Sequence, residues 1–153
     1  MKHLGQRYVQ YVNRTYRRSG TLWEGRYRSC LVQARNYMLA CYRYIEMNPV
    51  RAGMLAHPAN YRWSSYRANA LGDRPDWLTP QAEYLALGRD EEARQRNYRS
   101  LFHGDVPAEL VEKIRTSTKG NYALGSTRFR AEVERMLQRR AAPGKPGRPP
   151  KTR

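Results

Sequence analysis

The segment YRYIEMNPVRAG, residues 42–53, places a tyrosine one helical turn before an asparagine, with a proline and a basic loop directly behind them. A tyrosine hydroxyl has an ordinary pKa of about 10, so it attacks a phosphodiester only where a metal ion or another cation stabilises the phenolate. Tyr44 is therefore either a nucleophile that receives such help or one more tyrosine of an aromatic core. The segment alone leaves both interpretations open.

The charge balance favours a polyanionic partner. The chain has 29 Lys and Arg against 13 Asp and Glu, a net charge of +16, and such an excess repels itself unless an anion binds. Most of the basic residues are arginines, whose planar guanidinium binds phosphate and stacks on bases. Aromatic rings stand beside them in TYRR (15–18), WEGRYR (23–28) and YRWSSYR (61–67). This pattern is typical of single-strand binding, but a tyrosine core with surface arginines produces it too.

A membrane protein is disfavoured, because no apolar run approaches the roughly 18 residues of a spanning helix and the N-terminus lacks the apolar core of a signal peptide. We expect a cytoplasmic protein that is associated with the nucleoid when bound to DNA. Cys30 and Cys41 form no metal-type cluster and are expected to be buried or idle thiols of a reducing cytosol. The sequence leaves open whether the two cysteines form a disulfide.

Periodicity and cap residues predict an α+β fold that is mostly helical. One strand is expected within TLWEGRYRSCLV, residues 21–32, and it has no partner strand in the sequence. Such a strand either pairs with another chain or has lost the rest of its sheet. Helices are expected at residues 2–18, at 37–47 with Asn36 as N-cap and Pro49 as the stop, before Gly72 with Ser64 or Ser65 as cap, after Thr79-Pro80, and at 90–102, 107–117 and 127–139, the last capped by Ser126.

The turn-rich segment GDRPDWLT, residues 72–79, suggests a boundary. We therefore predict one region at residues 1–72, a helical C-terminal region at 73–140, and a disordered basic tail at 141–153. The tail contains no acidic residue and too few apolar residues to fold.

Three ordered motifs, GTLWEGRYRSCLV (20–32), YMLACYRYIEMNPVRAGML (37–55) and YRWSSYRANALG (61–72), together resemble the REP-associated tyrosine transposases. These belong to the HUH endonuclease superfamily and are related to insertion-sequence transposases that cut and rejoin single-stranded DNA. The resemblance covers residues 1–72 closely and continues loosely through KIRTSTKGNYALGSTRF (113–129) and the tail. It implies an antiparallel sheet with a metal-binding His-hydrophobic-His pair, and a partial catalytic domain at residues 1–72.

By this resemblance, Tyr44 matches the nucleophile that forms a 5′-phosphotyrosine, and Asn48 matches the position of a third metal ligand. The resemblance also implies magnesium or manganese as the cofactor and palindromic single-stranded hairpins as the DNA partner. Arg43 and Arg51 would clamp phosphate, and Arg26 and Arg28 would contact DNA. Each has a plainer alternative: a core tyrosine, a helix-end asparagine, or solvated arginines.

The histidines depart from the family pattern, because His3, His57 and His103 form no His-x-His pair. The sequence thus resembles a family member that begins late, without the first strands of the HUH fold, and we expect this chain alone not to cleave DNA. The tail motif PGKPGRPPK resembles an AT-hook, with Lys145 and Arg148 at the minor groove, although Pro146 stands where an AT-hook usually has arginine. A generic solvated tail is the alternative.

Three functions remain open at this point. The chain is a truncated transposase-family protein that descends from a single-strand nickase, or a non-catalytic remnant that binds structured DNA, or a basic protein that binds RNA hairpins. The sequence leaves the target hairpin and the oligomeric state open.

Overall fold

The structure is a computed structural model that describes residues 1–144. This part of the chain is mostly helical, with one small sheet, so the predicted α+β class is confirmed at that coarse level. Its elements are α1 (Lys2–Thr15), β1 (Leu31–Val32), α2 (Ala34–Glu46), α3 (Asn48–Arg51), a 3-10 turn (Pro58–Asn60), α4 (Tyr66–Leu71), α5 (Ala82–Leu85), α6 (Glu91–Ser100), α7 (Ala108–Gly120), β2 (Ala123–Leu124) and α8 (Thr127–Leu137). Within residues 1–144, none of the helices combines the length and the apolar character that crossing a bilayer requires.

The strand prediction needs two corrections. Only Leu31 and Val32 of the predicted strand are extended in a ladder, and they pair with β2, which lies some ninety positions later in the chain. The pairing is parallel, with Leu31 opposite Ala123 and Val32 opposite Leu124. Two residues per strand give little sheet stability on their own. Gln33 adds to the junction, because its Oε1 accepts a hydrogen bond of 2.9 Å from the backbone N–H of Ser126.

Cap residues locate the C-terminal helices well. Asp90 precedes α6 and accepts from the N–H of Ala93 at 2.7 Å, and Ser126 precedes α8 and accepts from the N–H of Phe129 at 3.2 Å. Such caps satisfy backbone donors that the first helical turn leaves unpaired. The predicted helices at 90–102, 107–117 and 127–139 are therefore confirmed within three residues at each end.

The other helix limits were less accurate. α1 ends at Thr15, and Arg17 adopts a left-handed φ of 49°. α2 begins at Ala34 instead of after Asn36, and Gln33 is its N-cap without a side-chain bond. Pro49 does not simply stop this helix, because it lies in the first turn of the separate short helix α3. Proline is accepted there since its missing N–H would have no helical partner.

A tyrosine core joins residues on both sides of the predicted boundary at residue 72. Tyr66 and Ala70 from α4 pack with Tyr84 of α5 and Tyr98 of α6. The rings of Tyr84 and Tyr98 meet edge to face, with centroids 5.6 Å apart. The two predicted regions thus share one core, and their division into domains stays a prediction.

A second small core corrects the start of the tail. Ala141, which the sequence assigned to the tail, is buried with Ala123 and Val133. Its N–H donates to Glu134 Oε1 at 2.8 Å, and its carbonyl accepts from the N–H of Ala123 at 2.9 Å. The folded part therefore reaches at least Ala141. The predictions for Lys145 and Arg148, and for the rest of the tail from residue 145, lie outside the described residues.

Candidate nucleic-acid interface

Tyr44 lies in the last turns of α2, and its side chain is half-buried. It lines an open pocket of about 300 Å³ between α2 and α7. The other lining residues all come from one side of α7: Glu112, Arg115, Thr118 and Lys119. The ring of Tyr44 is therefore not sealed in the core, and a ligand can approach it from solvent.

Arg51 connects Tyr44 to Asn48. Its guanidinium carbon lies 4.6 Å from the centroid of the Tyr44 ring, which is within the range of a cation–π contact. The same guanidinium donates through Nη2 to Asn48 Oδ1 at 2.6 Å. Asn48 and Arg51 both belong to α3, so the break between α2 and α3 turns the arginine back over the tyrosine. The structure thus brings together three residues that the sequence singled out.

Asn48 does not fit the role of a metal ligand in this arrangement. Its side-chain oxygen accepts from a positively charged guanidinium, which would repel a divalent cation at the same atom. Within residues 1–144, no group of three or more His, Cys, Asp or Glu side chains is arranged to hold a metal ion. We therefore derive no chemical step through magnesium or manganese, and the cofactor remains a prediction from the resemblance.

Arg115 and Lys119 supply positive charge opposite Tyr44, and neither residue was predicted from the sequence. Both are exposed, and they are four residues apart on α7, so they project from the same helix face. Of the described residues that line this pocket, only Glu112 is acidic. The signal that could have found them was the KIRTSTKG segment, whose basic residues repeat at helical spacing within the looser part of the resemblance.

Glu46 fixes the end of α2, two residues after Tyr44. It is fully buried, and its two carboxylate oxygens accept from Ser65 Oγ at 2.6 Å and from Tyr98 OH at 2.8 Å. Burial raises the pKa of Glu46, although hydrogen bonds from Ser65, Tyr98 and Asn69 act in the opposite direction. These bonds connect α2 with α4 and α6, so they hold the helix that presents Tyr44.

Two of the arginines predicted to bind DNA are engaged within the protein. Arg43 Nη2 donates to the carbonyl of Gly104 at 2.5 Å, and burial lowers its pKa. Arg28 Nη1 donates at 3.0 Å to the carbonyl of Lys119 in the last turn of α7. Arg26 and Arg51 are exposed. DNA contact by each of the four stays a prediction, and the geometry assigns Arg28 and Arg43 structural contacts as well.

The cysteines are half-buried, and within residues 1–144 both are free thiols. Burial raises the pKa of Cys41 to about 11, with a further contribution from Cys30. A thiol with a raised pKa is a poor nucleophile at neutral pH. Neither cysteine lines the pocket beside Tyr44.

Comparisons of the chain with protein-family models, with curated proteins and with solved structures found no match.

Proposed function

We propose that the protein binds single-stranded DNA hairpins and is related to the REP-associated tyrosine transposases, with residues 1–72 as a remnant of their HUH fold. In this proposal the chain does not cleave DNA alone. The observation that supports it best is the open pocket in which the half-buried Tyr44 faces Arg115 and Lys119 while Arg51 stacks on its ring. The ring is accessible and surrounded by cations, as a backbone-binding site requires.

A phosphate group in the pocket would meet Arg115 and Lys119 from α7. Arg51 does not line the pocket, but it contacts the Tyr44 ring and adds positive charge there. Arginine offers paired N–H donors to phosphate oxygens, and lysine contributes a compact charge. The Tyr44 hydroxyl can donate a hydrogen bond to the same phosphate. Glu112 opposes an anion at the rim, so the pocket favours a phosphodiester with one negative charge over a more highly charged terminal phosphate.

The test is a salt titration of hairpin binding. The triple variant Arg51→Gln, Arg115→Gln, Lys119→Gln removes three cations from around one tyrosine, and its binding to a fluorescently labelled DNA hairpin is compared with that of the unaltered protein. If all three contact phosphate, the slope of log affinity against log salt becomes shallower by about two to three. Affinity at low salt should also fall.

The matched control removes the same charge elsewhere, through Arg35→Gln, Arg89→Gln, Arg128→Gln at three exposed arginines that do not line the pocket. The control should change the slope by less than one. Equal effects of the two triple variants would mean diffuse attraction to a protein of net charge +16 and would refute the pocket as the binding site.

Binding of an RNA hairpin of the same sequence tests the alternative function, in which the protein binds RNA. Stacking rings and guanidinium groups accept bases of either nucleic acid, so the surface chemistry alone does not exclude RNA. Tighter binding of the RNA hairpin, lost in the pocket variant, would favour a basic RNA-binding protein over the transposase relative.

A further inference from the structure

Helix α1 leaves its apolar face uncovered. None of its residues, all within the described part of the chain, is buried, and Leu4, Tyr8 and Tyr11 are each more than half exposed. An amphipathic helix normally places such a stripe against a core. The next face of the same helix, along Gly5, Gln6 and Val9, borders a groove that is open to solvent.

The loop after α1 folds back to form a groove along this helix. Asn13 Nδ2 donates to the carbonyl of Gly20 at 2.9 Å, and Gly20 adopts a left-handed φ of 89° that turns the chain. Thr21 Oγ1 then accepts from the N–H of Trp23 at 3.0 Å. The Trp23 ring lies 6.1 Å from that of Tyr8, measured between centroids.

The resulting groove, which we call the N-terminal groove, has a volume of about 1110 Å³ and lies between α1 and residues 20–27. Trp23 and Tyr27 form part of its wall, and both rings are about half exposed or more. Gly5 lies on the floor of the groove, where a Cβ would make ordinary van der Waals contact with Trp23 Nε1 at 3.5 Å and a larger side chain would extend into the groove. The groove is thus wide enough for flat rings and offers aromatic faces to them.

The charge around the groove indicates the class of partner. Residues 1–28 contain seven basic residues, all exposed, against the single acidic residue Glu24. The basic residues are Lys2, Arg7, Arg14, Arg17, Arg18, Arg26 and Arg28. Of these, Lys2 and Arg26 line the groove itself, together with Glu24. A second copy of the chain would bring the same positive charge to the interface. A nucleic-acid strand complements this surface in charge and supplies rings for Trp23 and Tyr27.

We propose that the N-terminal groove binds unpaired nucleotides by stacking their bases on Trp23 and Tyr27, while Lys2 and Arg26 in its lining hold the backbone. This inference rests on the proposed function, and it assigns base stacking to a surface separate from the phosphate pocket at Tyr44. A membrane is a poorer fit, because the exposed stripe of α1 is mostly tyrosine, with Leu4 its one large aliphatic residue.

The experiment follows binding through the fluorescence of Trp23. The protein has three tryptophans, and Trp63 and Trp77 are 74% and 81% exposed, so Trp63→Phe and Trp77→Phe leave Trp23 as the single fluorophore with little cost to folding. Titration with a 12-nucleotide oligo(dT), which has no hairpin, should quench Trp23. In the unaltered background, Trp23→Ala should weaken oligo(dT) binding about tenfold, the effect of losing one stacked base.

Two further variants guard against loss of folding. Gly5→Leu favours the helix and fills the groove floor, so it should weaken oligo(dT) binding with unchanged helical circular dichroism. Trp77→Ala removes a tryptophan that is more exposed and does not line the groove, and it should leave oligo(dT) binding unchanged.

Each other outcome overturns the inference in a recognisable way. Oligo(dT) binding without Trp23 quenching refutes the groove but leaves the Tyr44 pocket standing, whereas failure to bind hairpin and oligo(dT) alike refutes the proposed function too. A blue shift of Trp23 only with vesicles containing phosphatidylserine would indicate a membrane surface. Self-association that Gly5→Leu abolishes, without oligo(dT) binding, would indicate a second copy as the occupant.

Discussion

Replacement of Glu46 tests the contacts that hold the helix carrying Tyr44. Its carboxylate is fully buried and accepts hydrogen bonds from Ser65 and Tyr98, which come from different parts of the core. Glu46→Ala removes both acceptor oxygens, so the hydroxyl of the fully buried Tyr98 loses its hydrogen-bond acceptor. Glu46→Gln keeps the shape of the side chain and one acceptor oxygen, and it removes the charge.

The expected magnitudes follow from these contacts. A buried hydroxyl without a partner costs about 1–3 kcal/mol, and this applies to Tyr98. The lost hydrogen bond of the half-buried Ser65 and the lost side-chain volume add to it, so Glu46→Ala should be destabilising by about 3–5 kcal/mol. Glu46→Gln should cost only about 1 kcal/mol at neutral pH, because one hydroxyl can still donate to the amide oxygen and the other can rotate to accept from the amide NH2. The exposed Glu132→Gln in α8 is the control, with an effect within about 0.5 kcal/mol.

The pH dependence separates the charge of Glu46 from its hydrogen bonds. Burial raises its pKa above the ordinary 4.5, so the folded protein holds a proton that the unfolded chain has already released. The contribution to stability is fully present below pH 4.5 and is lost as the pH rises through the folded pKa. Each unit by which the pKa is raised corresponds to about 1.4 kcal/mol. Glu46→Gln lacks this component.

Urea unfolding followed by far-ultraviolet circular dichroism measures these differences, since the fold is mostly helical. The free energy of unfolding of the unaltered protein minus that of Glu46→Gln should decrease from pH 4.5 upward and then level off. A difference that stays constant over this range, or a Glu46→Ala cost no larger than that of Glu132→Gln, would refute the assignment of Glu46 as a buried structural carboxyl.

Two further predictions concern residues of the candidate interface. We expect the purified protein with magnesium or manganese to leave a labelled DNA hairpin uncut, because Asn48 Oδ1 is bound by Arg51 and the sequence lacks a His-x-His pair; cleavage on a denaturing gel that Tyr44→Phe abolishes would overturn this expectation. Arg28→Ala should destabilise the protein by about 1 kcal/mol in urea, because its guanidinium binds the last turn of α7, whereas the exposed Arg26→Ala should change stability by less than about 0.5 kcal/mol. Equal losses for the two variants would contradict the helix-end contact.

The parts of the fold that the sequence predicted well are those with local signals. Asp90 and Ser126 precede helices as side-chain caps, and a cap depends on residues only two or three positions away. The β1–β2 pairing has no such signal, because each strand is two residues long and its partner lies about ninety positions away. A strand that short has no periodicity to detect, and the sequence therefore suggested a strand without a partner.

The candidate site also has one part that local sequence could predict and one part that it could not. Tyr44, Asn48 and Arg51 lie within one short segment, and their mutual contacts follow from the turn between α2 and α3. Arg115 and Lys119 line the pocket only because α7 lies across it from Tyr44 in α2, and the sequence contains no local sign of this arrangement. Spacing alone could predict which basic residues share a helix face, but not which other helix that face meets.

The tyrosines divide between an aromatic core and the exposed surface, so neither of the two interpretations describes all of them. Tyr66, Tyr84 and Tyr98 are buried, and the hydroxyls of the last two are bound by the carbonyl of Asn69 and by Glu46. Tyr8 and Tyr27 are exposed, and both stand next to arginines in the sequence. The neighbouring sequence does not separate the two groups, since Tyr66 also precedes an arginine. What separates them is burial, which for Tyr84 and Tyr98 is accompanied by a polar partner for the hydroxyl. Tyr44, half-buried and stacked under Arg51, lies between the groups, and a tyrosine that lends its ring to the fold while one edge faces a cationic pocket is suited to contact a bound phosphate.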